Sequence, residues 1–189
     1  AGHIVSASTL HVGTRAVLEQ PIEAKAGSLT ALVGPSGGGK STILHALAGF
    51  VSPTQGAVSI APHRSAPELA RTLAWVPQWS SSTVIATSVL DDVLSTTRAL
   101  GEESPQSLAR ARALLAAVGL THLEQADPRT LSGGEQRRLA LAAALHHGPP
   151  TLLVDEPTIG QDRHTWAALV GLVAAYRGLG GAVVAATHD

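Results

Sequence analysis

The run Gly34-Pro35-Ser36-Gly37-Gly38-Gly39-Lys40-Ser41 constrains this chain more than any other segment. It follows an apolar stretch, Leu29-Thr30-Ala31-Leu32-Val33, and leads into Thr42-Ile43-Leu44-His45-Ala46-Leu47-Ala48-Gly49, which has helical character. Strand, glycine-rich turn and helix N-terminus in that order are the setting of a Walker A phosphate loop. Glycines let the backbone curl so that successive N–H groups point at phosphate oxygens. The helix dipole adds partial positive charge at the same place. In that arrangement Lys40 bridges the β- and γ-phosphates and the Ser41 hydroxyl ligates Mg²⁺. An ordinary glycine turn before a helix would not explain Lys-Ser at that one offset. The chain is read as binding a nucleoside triphosphate through Gly34, Pro35, Ser36, Gly37, Gly38, Gly39, Lys40, Ser41 and Thr42.

Composition narrows the partners. The length of 189 residues suits one α/β domain with a full core. A net charge of −1 argues against a nucleic-acid-binding face, which carries a basic stripe, so no nucleic-acid partner is expected. Charged residues make up 14%, which points to surface covered by partners or to an alanine-rich sequence. No cysteine is present, which excludes disulfides and thiolate metal sites. No apolar run approaches the roughly 18 residues of a membrane span, and no signal peptide opens the sequence. Methionine is absent even at position 1, so the chain is expected to be an excised fragment or a processed form.

Periodicity predicts short antiparallel strands over Ile4–Val12 and Ala16–Ala24, buried strands at Ser28–Val33 and Ala57–Ile60, and another at Thr72–Val76. Helical spacing then governs Val89–Leu100, Ser107–Val118 and Glu135–His147, with Gly101 and Gly119 as C-terminal stops. Thr151–Val154 reads as a strand, Asp162–Tyr176 as a helix and Ala182–Thr187 as a last strand. The fold class is α/β: a phosphate-loop NTPase core, mostly a parallel sheet flanked by helices, with an N-terminal antiparallel β portion and an inserted helical subdomain. The expected division is a single domain over residues 1–189, with a catalytic core at about 1–86 and 149–189 and a helical subdomain at about 87–148.

A second constellation closes the Mg·ATP site. Leu152-Leu153-Val154-Asp155-Glu156 is a buried strand ending in two carboxylates, the Walker B pattern. Asp155 there completes the Mg²⁺ shell opposite Ser41. Glu156, just past the strand, polarises the attacking water as general base. A third element is Leu131-Ser132-Gly133-Gly134-Glu135-Gln136-Arg137-Arg138. Ser132 is a helix N-cap with Glu135 three residues on, a capping box whose helix N-terminus suits an anion.

LSGGEQ, 16 residues before the LLVDE strand, resembles the signature of the ATP-binding cassette family. Gln78 in Trp75-Val76-Pro77-Gln78 matches the family's Q-loop, Asp162 in Ile159-Gly160-Gln161-Asp162 its D-loop, and His188 in Ala186-Thr187-His188-Asp189 its switch histidine. The resemblance covers nearly the whole chain. It implies ATP hydrolysis with Mg²⁺ by a head-to-tail dimer, homo- or heteromeric, in which Ser132, Gly133 and Gly134 bind the γ-phosphate held by the partner's Walker A loop. Gln78 then touches Mg²⁺ and the attacking water, and His188 holds the γ-phosphate and base in register. Further partners are transmembrane transporter subunits, which place the chain peripherally on the cytoplasmic face of the cell membrane. The Gly-Gln-Asp form of the D-loop is most like the ATPases of energy-coupling-factor importers of vitamins and metal ions. The region that usually supplies an adenine-stacking aromatic reads Leu10-His11-Val12-Gly13, without Phe, Tyr or Trp, which leaves His11 to stack weakly or Val12 to pack against the base. Family members continue for some tens of residues past the switch histidine, so the resemblance implies a C-terminally truncated chain. Soluble, non-transport cassettes and a non-hydrolysing regulatory half-site are the competing readings. Trp79 is expected either in the groove facing a transporter or packed; His146-His147 at a solvated helix end; Trp166 against the sheet.

Overall fold

A computed structural model describes residues 3–60, 65–156 and 163–187. Its centre is a pair of parallel strands buried on both faces, β8 (Thr151–Asp155) and β9 (Ala182–Thr187). They sit inside a four-stranded parallel sheet of order β5-β9-β8-β7, where β5 is Leu29–Val33 and β7 is Leu73–Val76. Side chains in a strand alternate between faces, and here each parity feeds a different core. Leu73, Leu153, Ala182, Val184 and Ala186 pack against helix α1 (Lys40–Leu47). Ala74, Val76, Leu152, Val154, Val183 and Ala185 pack on the opposite side against α5 (Gly133–His146) and α6 (Arg163–Gly178). Near-continuous apolar runs are what a strand covered on both faces requires.

The antiparallel portion is built from β1 (His3–Ala7), flanked by β4 (Ile22–Lys25) and β6 (Val58–Ile60). A separate hairpin pairs β2 (Leu10–Val12) with β3 (Arg15–Leu18). Gly56, at φ 91°, makes the approach to this sheet possible: a Cβ there would lie 1.9 Å from the Thr9 carbonyl oxygen. Helix α2 (Ala66–Thr72) precedes β7, and α3 (Val89–Ala99) and α4 (Pro105–Ala117) come between β7 and α5. Val89, Val93 and Leu94 of α3, Leu115 of α4, and Leu139 and Ala142 of α5 form a third apolar core. Helix α5 therefore has one face in the sheet core and another in the helical core.

The fold class matches the sequence reading, with several corrections. Ser28–Val33 reads as a buried strand, yet Leu29 is 47% and Val33 64% exposed. The reason is positional: among the described residues β5 pairs only with β9 and forms the sheet's edge. Ala57–Ile60 likewise becomes a short edge strand, and Ala57 is exposed. Helix α2 was not anticipated, although Ser65 caps it by accepting from the Glu68 N–H. Trp166 is half exposed rather than packed on the sheet. No helix among the described residues is long and apolar enough to cross a membrane.

His146 is the sharpest correction. It lies at the end of α5, where solvent was expected, but is buried. Its Nε2–H donates to the Ser107 carbonyl at 2.7 Å, so Nδ1 is the acceptor for the Thr97 hydroxyl at 2.9 Å. One neutral ring thus joins α3, α4 and α5. Burial holds its pKa below the ordinary histidine value, opposed by the Ser107 bond and assisted by the nearby Arg110 charge. The unfolded chain takes up a proton on this ring near pH 6.5, whereas the folded chain resists it. Stability contributed this way is present above that pH and lost as the solution becomes more acidic. The thermal midpoint should fall between about pH 7 and pH 5.5. His147, also lowered by burial, contributes in the same direction. In a His146→Gln variant the fall should be shallower; an unchanged slope would show that His146 is not a source of it.

Candidate active site

All four strands of the parallel sheet run the same way, so their carboxyl ends meet along one edge, the usual ligand position in such sheets. The end of β5 delivers the loop 34–39, β7 delivers Gln78, and β8 delivers Asp155 and Glu156. A cavity of about 300 Å³ at this edge is lined by residues 36–42, Gln78, Glu156 and Arg15.

The loop is shaped by glycine. Gly37 and Gly39 have φ of 73° and 93°, values that an L side chain adopts only with strain. A Cβ on Gly38 would meet the Pro35 carbonyl oxygen at 2.8 Å, the acceptor to which the Gly38 N–H donates at 3.0 Å. Helix α1 starts at Lys40 without a side-chain cap and without an acidic residue in its first turn. Its first amides therefore face the cavity as a ready anion site. Lys40 is buried and folds back over the loop, donating from Nζ to the Gly34 carbonyl at 2.7 Å and the Pro35 carbonyl at 3.0 Å. Gly34 and Pro35 thus orient the ammonium rather than line the cavity. Arg15, which the sequence reading passed over, donates to the Gly37 carbonyl. Its signal was weak, a single arginine in a short hairpin far upstream.

Opposite the loop, Gln78 Nε2 donates to Glu156 Oε2 at 3.1 Å. Glu156 is buried and has φ 47°, the one positive φ among described residues other than glycine. Beneath it, Asp155 is buried with Oδ1 lacking any hydrogen-bond partner among the described residues. Such an orphaned carboxylate oxygen is rare in a folded interior and calls for a ligand or ion. Asp155 does not itself line the cavity, whereas Ser41 and Gln78 do; all three carry oxygen donors, the kind a hard cation such as Mg²⁺ takes. No cluster of three or more His, Cys, Asp or Glu side chains suited to a metal occurs among the described residues. Phosphate and hydroxyl oxygens would have to complete the shell.

Arg137 of α5 is buried beside this pair. It donates from one terminal nitrogen to the Pro77 and Gln78 carbonyls at 2.6 and 2.5 Å, and from the other to the Asp155 carbonyl at 3.0 Å and to the Glu156 carbonyl. Burial lowers the guanidinium's pKa, and the Asp155 and Glu156 charges oppose that.

Ser132, Gly133 and Gly134 do not line the cavity. Ser132 and Gly133 are exposed at the start of α5. The Ser132 N–H and hydroxyl both donate to Glu135 Oε2, at 2.8 and 2.7 Å, closing the capping box. These bonds hold the Glu135 carboxyl below its ordinary pKa. The helix N-terminus is therefore partly satisfied by its own carboxylate, as the capping-box spacing implies. His188 and the segment 159–162 lie outside the described residues. Trp79 is 74% exposed, so its packed alternative does not hold.

The ABC transporter family model matches residues 21–159. The YkoD protein of Bacillus subtilis strain 168, an ATP-binding protein assigned to HMP/thiamine import, is 36% identical over 167 residues, covering 86% of this chain and 30% of the relative. The lipoprotein-releasing system ATP-binding protein LolD of Granulibacter bethesdensis is 39% identical over 178 residues, with 89% and 77% covered. The solved structure of cbiO1 from Clostridium perfringens, part of the ABC transporter complex cbiONQ, superposes with a TM-score of 0.82 at 27% identity, covering 100% of this chain and 80% of the other. The fold and the phosphate-loop edge thus define a nucleotide-binding cassette. The chain belongs to the ABC transporter family of ATP-binding proteins. It spans about 30% of the length of the first three curated relatives it matches.

Gly39→Ala tests the loop's backbone requirement. At φ 93°, with the added Cβ 3.3 Å from Val17 Cγ1, unfolding free energy should fall by about 1 to 2 kcal/mol even without nucleotide. Urea denaturation checks it; an unchanged midpoint would mean the loop relaxes freely.

Proposed function

We propose that this chain is the ATP-binding and ATP-hydrolysing subunit of a membrane transporter and works as a head-to-tail dimer with a second ABC ATPase subunit. The observation that carries the reading is the meeting of Lys40, Ser41, Gln78 and Glu156 at one sheet edge, while Ser132–Gly134 lie outside that cavity with Ser132 and Gly133 exposed. Each chain then holds half of two composite sites. Residues 34–42 cradle the phosphates, and Lys40 offsets their charge. Bound Mg²⁺, held by Ser41, Gln78 and Asp155, supplies further neutralisation of the phosphate oxygens. Glu156 takes the proton of the attacking water as its oxygen bonds to the γ-phosphorus and the bond to the ADP oxygen breaks. Gln78, already bonded to Glu156, orients that carboxylate. His188 would keep the γ-phosphate and base in register. Across the dimer, Ser132, Gly133 and Gly134 meet the γ-phosphate held by the partner, and the Ser132 hydroxyl turns from Glu135 to do so.

The transport role rests on the family, and the importer direction on likeness to YkoD, named for HMP/thiamine import; LolD belongs to a lipoprotein-releasing system. The cargo is proposed to be a vitamin, metal ion or other small solute. In this reading residues 1–189 form one cassette, with a helical subdomain at about 87–148 and the core on either side. It sits peripherally at the cytoplasmic face, against transmembrane subunits. The groove bearing Phe50, Trp75 and Ile85 is the surface offered to them.

Two substitutions separate the roles. Lys40→Ala should weaken ATP binding by at least about tenfold, because the charge opposing the phosphates is gone. Equilibrium titration checks this, and an affinity within a few-fold of the parent would refute the loop's role. Glu156→Gln should retain binding and lose phosphate release. In the parent chain the release rate per chain should rise steeply with protein concentration as composite sites assemble. A flat, near-zero rate beside clear ATP binding would favour the regulatory half-site instead.

A further inference from the structure

Among the described arginines, Arg137 is unlike the others in donating to four main-chain carbonyls. It is 3% exposed, and a buried cation is tolerated only where its donors are well satisfied. The four acceptors come in two pairs from two segments distant in sequence. Pro77 and Gln78 follow β7, and Asp155 and Glu156 end β8. Each pair includes one member of the Gln78–Glu156 hydrogen bond. The fork of a guanidinium suits this task, because its donors leave at fixed angles from one plane.

Glu156 adds a second observation. Its left-handed backbone costs about 1 kcal/mol for a residue with a Cβ, so neighbours must hold it. Its N–H donates to the Ala186 carbonyl at 2.8 Å, and its own carbonyl accepts from Arg137. The strained turn that points the carboxylate into the cavity is therefore clamped between β9 and α5. Arg137 also lies only five residues after Ser132, the N-cap of the same helix. Because a helix moves as a rigid rod over one or two turns, displacement of its exposed end shifts the guanidinium with it.

We propose that Arg137 is a positioning residue that fixes the Gln78 and Glu156 backbones relative to each other and carries movement of the Ser132–Gly134 end of α5 to that pair. The inference rests on the reading of Glu156 as the general base. An engaged phosphate at the N-terminus of α5 would thus be felt at the chain's own hydrolytic carboxylate through one side chain.

Arg137→Lys and Arg137→Met test it in the full chain. Both should lower kcat for Mg·ATP hydrolysis by about tenfold or more while ATP affinity stays within about threefold, since neither touches the phosphate loop. Lysine should rescue little, because one ammonium cannot span four carbonyls on two segments. Full rescue by lysine, equal loss of binding and turnover, or unchanged kcat would each overturn the proposal. So would unfolding of both variants, which would make Arg137 a structural brace only. Glu156→Gln, measured alongside, distinguishes the failures. If it turns over normally, the general-base reading falls and takes this inference with it. If it is inactive while the Arg137 variants match the parent, only the role of Arg137 is wrong.

Discussion

Helix α5 is buried on two sides at once, and the rest of the molecule is arranged around that requirement. Ala140, Leu141, Ala144 and Leu145 belong to the sheet core, whereas Leu139 and Ala142 belong to the helical core. A helix apolar around so much of its circumference cannot tolerate a charge without full compensation. Arg137 enters this wall where the carboxyl ends of β7 and β8 present four carbonyls to it. His146 leaves it at the other end by a comparable solution, a neutral ring between a hydroxyl and a carbonyl. The two polar residues of this wall are therefore fixed points, one beneath the candidate active site and one joining three helices.

The site itself is a compromise between stability and chemistry. An Asp155 oxygen without a hydrogen-bond partner among the described residues and a left-handed Glu156 both raise the energy of the site, while two carbonyls hold the buried Lys40. Each makes sense if a polyphosphate and a cation are to occupy it, because groups already desolvated and aimed need little rearrangement. The parallel sheet supports that cost: β8 is buried along its whole length, and its backbone is paired on both sides.

Much of this was legible in the residues. The glycine run lies between β5 and α1, the LLVD run forms β8, the LSGGEQ run opens α5, and most strands and helices lie within a few residues of expectation. What escaped had physical causes. Helix α2 is only seven residues long, too short for periodicity to show. Strand β5 carries the composition of a central strand but lies at the edge. Arg15 acts across the gap between a hairpin and a loop 22 residues away. His146 was read from polarity alone, and burial reversed that conclusion, while Arg137 was given no role.

The sequence by itself determined the chemistry on offer: a glycine loop ahead of Lys40 and Ser41, paired carboxylates at a strand end, and a capped helix start at Ser132. These depend on residues adjacent along the chain, where backbone geometry and spacing suffice. Only the tertiary structure decided which of them meet. It placed Gln78 against Glu156 across 78 positions, left Ser132–Gly134 outside the cavity, and set Arg137 against the carbonyls that follow β7 and end β8. Such pairings follow from strand order and from how much of each helix is covered, and both are properties of the packed whole.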